Sequence, residues 1–175
     1  MSRKQPQSPH RLREKALLAL MINHPALFGD FGEDLALTSF ANPEFEALRQ
    51  RVVEILSLES HEPLDATELY RHLSPEGEVD AAPDSGQAGL AEVLSETTYM
   101  HASFARPDRS LDQARLGWKS IWSGYLQEQL HVDLQTAKRR YSEEASDENL
   151  TRLMALIFEL EAMKRESGDD SNFGT

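Results

Sequence analysis

The sequence predicts an all-α fold: a helical bundle followed by a long helix and a protruding C-terminal helical hairpin. Three observations predict it. Apolar residues recur at i, i+3 and i+4 in one segment after another. A capping residue followed by Pro opens two of those segments, and no proline interrupts the chain from Ser110 to about Ala145.

The first helix starts at Ser8-Pro9, where Ser can accept from an orphan amide and Pro sits where no donor is needed. Leu12, Lys15/Ala16, Ala19/Leu20 and Asn23 keep helical spacing, and Leu17, Leu18, Met21 and Ile22 widen the stripe until the helix is apolar most of the way round. Such a helix belongs at the centre of a core. Residues 1–8 before it read as a linker, and Asn23-His24-Pro25 ends it. An irregular stretch with Leu27, Phe28 and Phe31 leads to a turn of helix over Glu33–Leu37. Asn42-Pro43 opens the next helix, whose stripe is Phe45, Leu48, Val52, Ile55 and Leu56. Asp65 and Glu68 form a capping box ahead of Leu69, Tyr70 and Leu73.

From Ser74 to Gly86 the composition turns to Pro, Gly, Glu, Asp and Ser and predicts a mobile loop. A weak helix over Gln87–Ser95 follows. Thr97–Pro107 reads as irregular, with Tyr99, Met100 and Phe104 tucked into the core. Ser110 with Gln113 opens the long helix, some 35 residues and roughly 50 Å at 1.5 Å per residue. Its stripe changes face. Leu111, Ala114, Trp118, Ile121, Trp122 and Tyr125 share one side, and Leu126, Leu130, Leu134, Ala137 and Tyr141 another. Gly124 lies at the change and is the expected hinge. Ser146 caps a last helix over Asp147–Glu166, with an expected core stripe of Leu150, Leu153, Met154, Ile157 and Leu160 and a disordered tail from residue 168. The organisation expected is thus a bundle over 9–125 and a hairpin over 126–167.

Composition excludes more than it assigns. The 175 residues suffice for one core with an annex, and 39% hydrophobic residues suffice to fold it. No Cys is present, so neither a disulfide framework nor a thiolate zinc site can form. The apolar run from Ala16 to Ile22 falls far short of the roughly 20 residues that span a bilayer, and His24-Pro25 replaces the small residues of a signal-peptide cleavage site. A cytoplasmic protein is expected. Thirty acidic against 18 basic residues give a net charge of -12 that repels phosphate, so little direct nucleic-acid binding is expected. The local basic runs, Arg49/Arg51 and Lys138-Arg139-Arg140, read more simply as solvated helix faces.

No phosphate-cradling glycine loop, nucleophile elbow or metal-ligand spacing occurs, and the six His lie far apart. Neither a catalytic residue, nor a metal, nor a cofactor is expected. Trp118 and Trp122, four residues apart, read as core rather than as a ligand pocket. The last helix differs. Leu156 and Met163 flank its expected core stripe on one side and Phe158 on the other, which is more apolar surface than one partner helix covers. Exposed on a two-helix hairpin, such residues point to docking on another protein. The candidate docking residues are Tyr141, Met154, Leu156, Phe158 and Met163; the alternative is that the hairpin folds back onto the bundle.

The order of these elements resembles the C-terminal helicase-interaction domain of bacterial DNA primases. The run Arg13-Glu-Lys-Ala-Leu-Leu-Ala-Leu-Met-Ile-Asn-His-Pro-Ala-Leu27 is similar to that family's first helix. Leu64-Asp-Ala-Thr-Glu-Leu-Tyr-Arg-His-Leu73 is similar to its short helix, and Trp122 to Arg165 to its long helix and hairpin. The match spans about residues 10–166, and the order and spacing carry it rather than any one motif. The resemblance implies a non-catalytic domain that docks primase on the N-terminal domains of the hexameric replicative helicase at the replication fork. The zinc domain and polymerase core would lie elsewhere in the parent primase, so this chain should make no primers. The resemblance also implies a possible second partner, the acidic C-terminal tail of single-stranded-DNA-binding protein, for which Arg49, Arg51 or Lys138 could serve. Two other readings stay open: the N-terminal domain of the helicase itself, which has a similar bundle and hairpin, and an unrelated helical adaptor.

Overall fold

The computed structural model describes residues 8–58, 64–74 and 85–169, and these residues are helical with no strand among them. The helices are α1 (Pro9–Asn23), α2 (Phe28–Leu37), α3 (Pro43–Ser57), α4 (Ala66–Leu73), α5 (Ser85–Val93), α6 (Glu96–His101), α7 (Leu111–Glu143) and α8 (Asp147–Asp169), with single 3-10 turns at Pro25–Leu27 and Ser103–Ala105. The expected linker at 1–7, most of the expected loop at 74–86 and the tail from 170 lie outside the described residues. The chain divides into two compact units, residues 1–122 and 123–175. Helix α7 contributes to both and is helical through Gly124.

In the first unit α1 is the central element. Ser8 Oγ accepts from the Arg11 amide and starts it, and every residue from Glu14 to Ile22 is buried. Helices α3, α4, α5 and α6 all pack around it. Phe45, Leu48 and Val52 from α3, Leu69 and Leu73 from α4, and Leu90 and Val93 from α5 complete that core. The capping box of α4 is formed as expected, Asp65 Oδ1 accepting from the Glu68 amide at 2.8 Å. Ser110 and Gln113 cap α7 reciprocally. Trp118 is fully buried and stacks on Phe31 (centroids 5.3 Å apart) and on Trp122 (5.9 Å), so Trp118 is core, whereas Trp122 is only half-buried.

Polar groups organise this core as much as apolar ones do. Glu14, with no exposed surface, accepts from the Ala41 amide at 2.6 Å and from Asn42 Nδ2. Arg11 forks onto the Glu92 carboxylate, at 2.7 Å for the shorter bond, and donates to Asn42 Oδ1 at 2.7 Å while lying over the Phe45 ring. Fully buried Lys15 reaches the same Glu92 at 3.4 Å. Burial lowers the Lys15 pKa below the ordinary lysine value, against the pull of the Glu92 charge. Together these contacts tie α1 to the start of α3 and to α5. Asn42 is consequently engaged through its side chain in tertiary bonds and makes no side-chain cap on α3.

Several expectations are corrected. Helix α2 begins at Phe28, not Glu33, because Gly32 lets the Phe28 ring lie where a Cβ would stand, 2.8 Å from the nearest ring carbon. Helix α5 begins at Ser85, inside the expected loop, and ends at Val93. The stretch expected to be irregular contains α6, started at Ser95. Within it Tyr99 and Phe104 are half-buried, whereas Met100 is 76% exposed and does not enter the core. Asn23 Nδ2 donates both to Tyr99 Oη (2.9 Å) and to the Ala105 carbonyl (2.8 Å), and His24 Nε2 lies 3.0 Å from the Arg106 carbonyl. The polar pair that ends α1 thus also fastens the α6 segment.

Candidate docking surface

The second unit is built from the C-terminal part of α7 and from α8, joined by residues 144–146. Local chemistry turns the chain there: Ser146 Oγ accepts from the Asn149 amide at 3.2 Å, and Asn149 Nδ2 donates back to the Glu144 carbonyl at 2.9 Å. The core of the unit is Leu130, Leu134 and Ala137 from α7 against Leu156 and Leu160 from α8, with Leu153, Ile157 and Met163 packed at its edge. On α7 these residues follow the i, i+4, i+7 spacing, and on α8 Leu153, Leu156, Leu160 and Met163 follow i, i+3, i+7, i+10. Both are the narrow seam that one helix offers a single antiparallel neighbour. Tyr141 continues the α7 seam and is half-buried.

This seam corrects the expected face of α8. Leu156 is only 6% exposed and Met163 is half-buried against the cluster, so neither is a free flank. Leu150 and Met154, expected in the core, are 40% and 58% exposed. At 100° per residue the observed seam is turned by roughly 80° from the expected stripe. Helix α8 also continues to Asp169, through the Ser167-Gly168 expected to stop it.

What remains open is a ridge on α8. Leu150, Met154 and Phe158, at i, i+4 and i+8, lie one above another along the helix, and Phe158 is 68% exposed. Of the five candidate docking residues, the structure leaves Met154 and Phe158 on this surface, turns Leu156 and Met163 inward and places Tyr141 at the seam. Leu150 joins the surface although the sequence assigned it to the core. On the far side of α8, Asp133, Thr136, Ala137 and Arg140 of α7 and Glu148, Asn149 and Arg152 of α8 line a polar pocket of about 250 Å³.

The basic residues have different fates. Arg49 is buried, forks onto Glu46 (2.6 and 2.8 Å) and donates to the Leu35 carbonyl at 2.9 Å, so its guanidinium serves the fold and not an external anion. The fork holds the Glu46 carboxyl at a pKa of about 2, with a further bond from the Phe40 amide. Arg51 donates to the His72 carbonyl, and Lys138 is exposed. Among the described residues no group of three or more His, Cys, Asp or Glu could hold a metal ion, and no helix is long and apolar enough to cross a membrane. No protein-family model, curated protein or solved structure matches the chain.

Proposed function

We propose that this chain is a non-catalytic docking domain, the helicase-interaction domain of a bacterial DNA primase, which holds primase on the N-terminal domains of the replicative helicase. The observation that supports this reading is the α8 ridge. Leu150, Met154 and Phe158 remain 40%, 58% and 68% exposed on a helix whose opposite face is already packed. Apolar area left in water forgoes about 25 cal/mol per Å² that a partner's groove would recover. Anchors at i, i+4 and i+8 are the pattern by which a helix is read in such a groove. The partner class comes from the resemblance in element order, and the parent protein's polymerase and zinc domains would supply the chemistry.

Calorimetric titration of residues 1–175 against the helicase N-terminal domain tests the proposal. Saturable binding is expected, weakened by about 1–3 kcal/mol in Met154→Ala or Phe158→Ala with the melting temperature unchanged. No binding by the folded chain refutes it.

A further inference from the structure

Helix α8 carries two seams, and α7 takes only one of them. Leu153, Leu156, Leu160 and Met163 form the seam that packs on α7. Asp147, Thr151, Met154, Phe158, Glu161 and Arg165 follow one another at alternating steps of four and three residues, the heptad spacing of a helix that lies along a single partner. At 100° per residue this second line is centred about 160° from the first, on the side of α8 turned away from α7. Every residue of the line is exposed. Its centre is apolar, with Met154 and Phe158 58% and 68% exposed, and its ends carry charge. Among the described residues the Asp147 carboxylate and the Arg165 guanidinium make no ion pair; Arg165 spends only its Nε, on the Glu161 carbonyl at 3.4 Å.

We propose that in the free chain this line is covered by the same line of a second copy, the two α8 helices running antiparallel about a two-fold axis at the level of Leu156. The line is complementary to itself in that direction. Reversed and laid on itself, it sets Met154 against Phe158, Thr151 against Glu161 and Asp147 against Arg165, and each contact occurs twice, as a two-fold axis requires. A thioether against an aromatic ring is a favourable centre for such a contact. The ion pairs at the two ends add little affinity and fix direction and register. Laid parallel, the same line would put Asp147, Glu161 and Arg165 each against its own counterpart, so that every charged position meets a like charge. Leu150, 40% exposed, flanks the centre. With so few apolar side chains per copy the contact belongs to the class below about 1,200 Å², so the dimer is weak and readily displaced. The pairing also regulates the docking surface, and in that respect alone it rests on the proposed function: dimer and helicase complex exclude each other because both use Met154 and Phe158.

The test is sedimentation equilibrium of residues 1–175 without helicase, from micromolar to submillimolar chain. The average mass is expected to rise with concentration from monomer to dimer and no further, and Phe158→Ala should stay monomeric. Asp147→Lys and Arg165→Glu should each weaken self-association severalfold, and an equimolar mixture of the two should recover the wild-type dimer, because both end pairs re-form between unlike copies. Direction is read by cysteine cross-linking, since the chain has no Cys of its own. Thr151→Cys and Glu161→Cys should form a disulfide when mixed and neither should form one with itself, like positions standing about 15 Å apart in the antiparallel pair. Added helicase N-terminal domain should dissociate the dimer. A monomer at every concentration, an undiminished dimer in folded Phe158→Ala, no recovery on mixing the charge variants, Thr151→Cys joined to itself, or a dimer that persists in the helicase complex would each overturn the proposal. A monomer that binds helicase would remove this inference alone, and a dimer that does not bind helicase would uphold the pairing and remove the helicase reading.

Discussion

Leu156→Ala and Phe158→Ala remove apolar bulk two residues apart on α8, and the structure predicts opposite consequences. Leu156 is 6% exposed in a cluster with Leu130, Leu134, Ala137 and Leu160. Truncation removes three carbons, which at about 0.8 kcal/mol each forfeits about 2.4 kcal/mol of transfer free energy. The cavity term adds to this, but a seam between only two helices can partly close, so a total of about 2–3 kcal/mol, low in the Leu→Ala range, is expected. Phe158 is 68% exposed and its loss should stay within about 0.5 kcal/mol. Because residues 123–175 form their own compact unit, the cost should be read locally by amide hydrogen exchange. Exchange at α8 amides should rise by about thirtyfold to about 150-fold in Leu156→Ala and hardly at all in Phe158→Ala. Equal acceleration by the two variants would refute the observed seam.

Three further outcomes follow from the first unit. The Glu46 pKa is depressed to about 2 from 4.5, so its stabilising effect is complete above about pH 4.5 and is lost as the pH falls toward 2. For a side chain 21% exposed, screening reduces this to about 1–2 kcal/mol. Unfolding free energies of wild type and Glu46→Gln from denaturant titrations should differ by that amount at pH 7, and the gap should shrink below about pH 4.5 and be largely gone by about pH 2; a gap independent of pH would contradict it. Lys15→Met removes a fully buried charge while Arg11 still forks onto Glu92, so its melting temperature should equal or exceed that of wild type. Gly117→Ala should destabilise by about 1–2 kcal/mol in thermal melts, despite alanine's helix preference of about 1 kcal/mol, because the new Cβ would stand 2.2 Å from the Phe104 ring. A more stable variant would mean that the ring moves aside freely.

Local signals were the legible ones. Ser8-Pro9 and the Asp65–Glu68 box mark helix starts because their hydrogen bonds close within three residues. The buried network is not legible, since the amide groups that Glu14 binds lie 27 and 28 residues away and Lys15 meets Glu92 77 residues away; only the His10–Glu14 pair is local. The register of α8 was ambiguous for a definable reason. Leu153 and Leu160 belong both to the stripe through Leu150, Met154 and Ile157 and to the seam through Leu156 and Met163. Only the identity of the neighbour, a single helix with a narrow contact, decides between them. Helix α6 was missed because its Thr97-Thr98 pair lowers helix propensity, although Ser95 before Glu96 was a readable start signal. The start of α2 at Phe28 is not legible because Gly29 and Gly32 carry low helix propensity, and only packing reveals that Gly32 accommodates the Phe28 ring.

The location of docking can be tested at one side chain. A photoreactive phenylalanine analogue at Phe158, 68% exposed on the ridge, changes shape little and should leave the fold intact. Irradiated with the helicase N-terminal domain, it is expected to give a cross-linked adduct that excess wild-type chain competes away. The same analogue at Leu116, 69% exposed on α7 in the first unit, should give none. Adduct from Leu116 with none from Phe158 would contradict the assignment of α8 as the docking element.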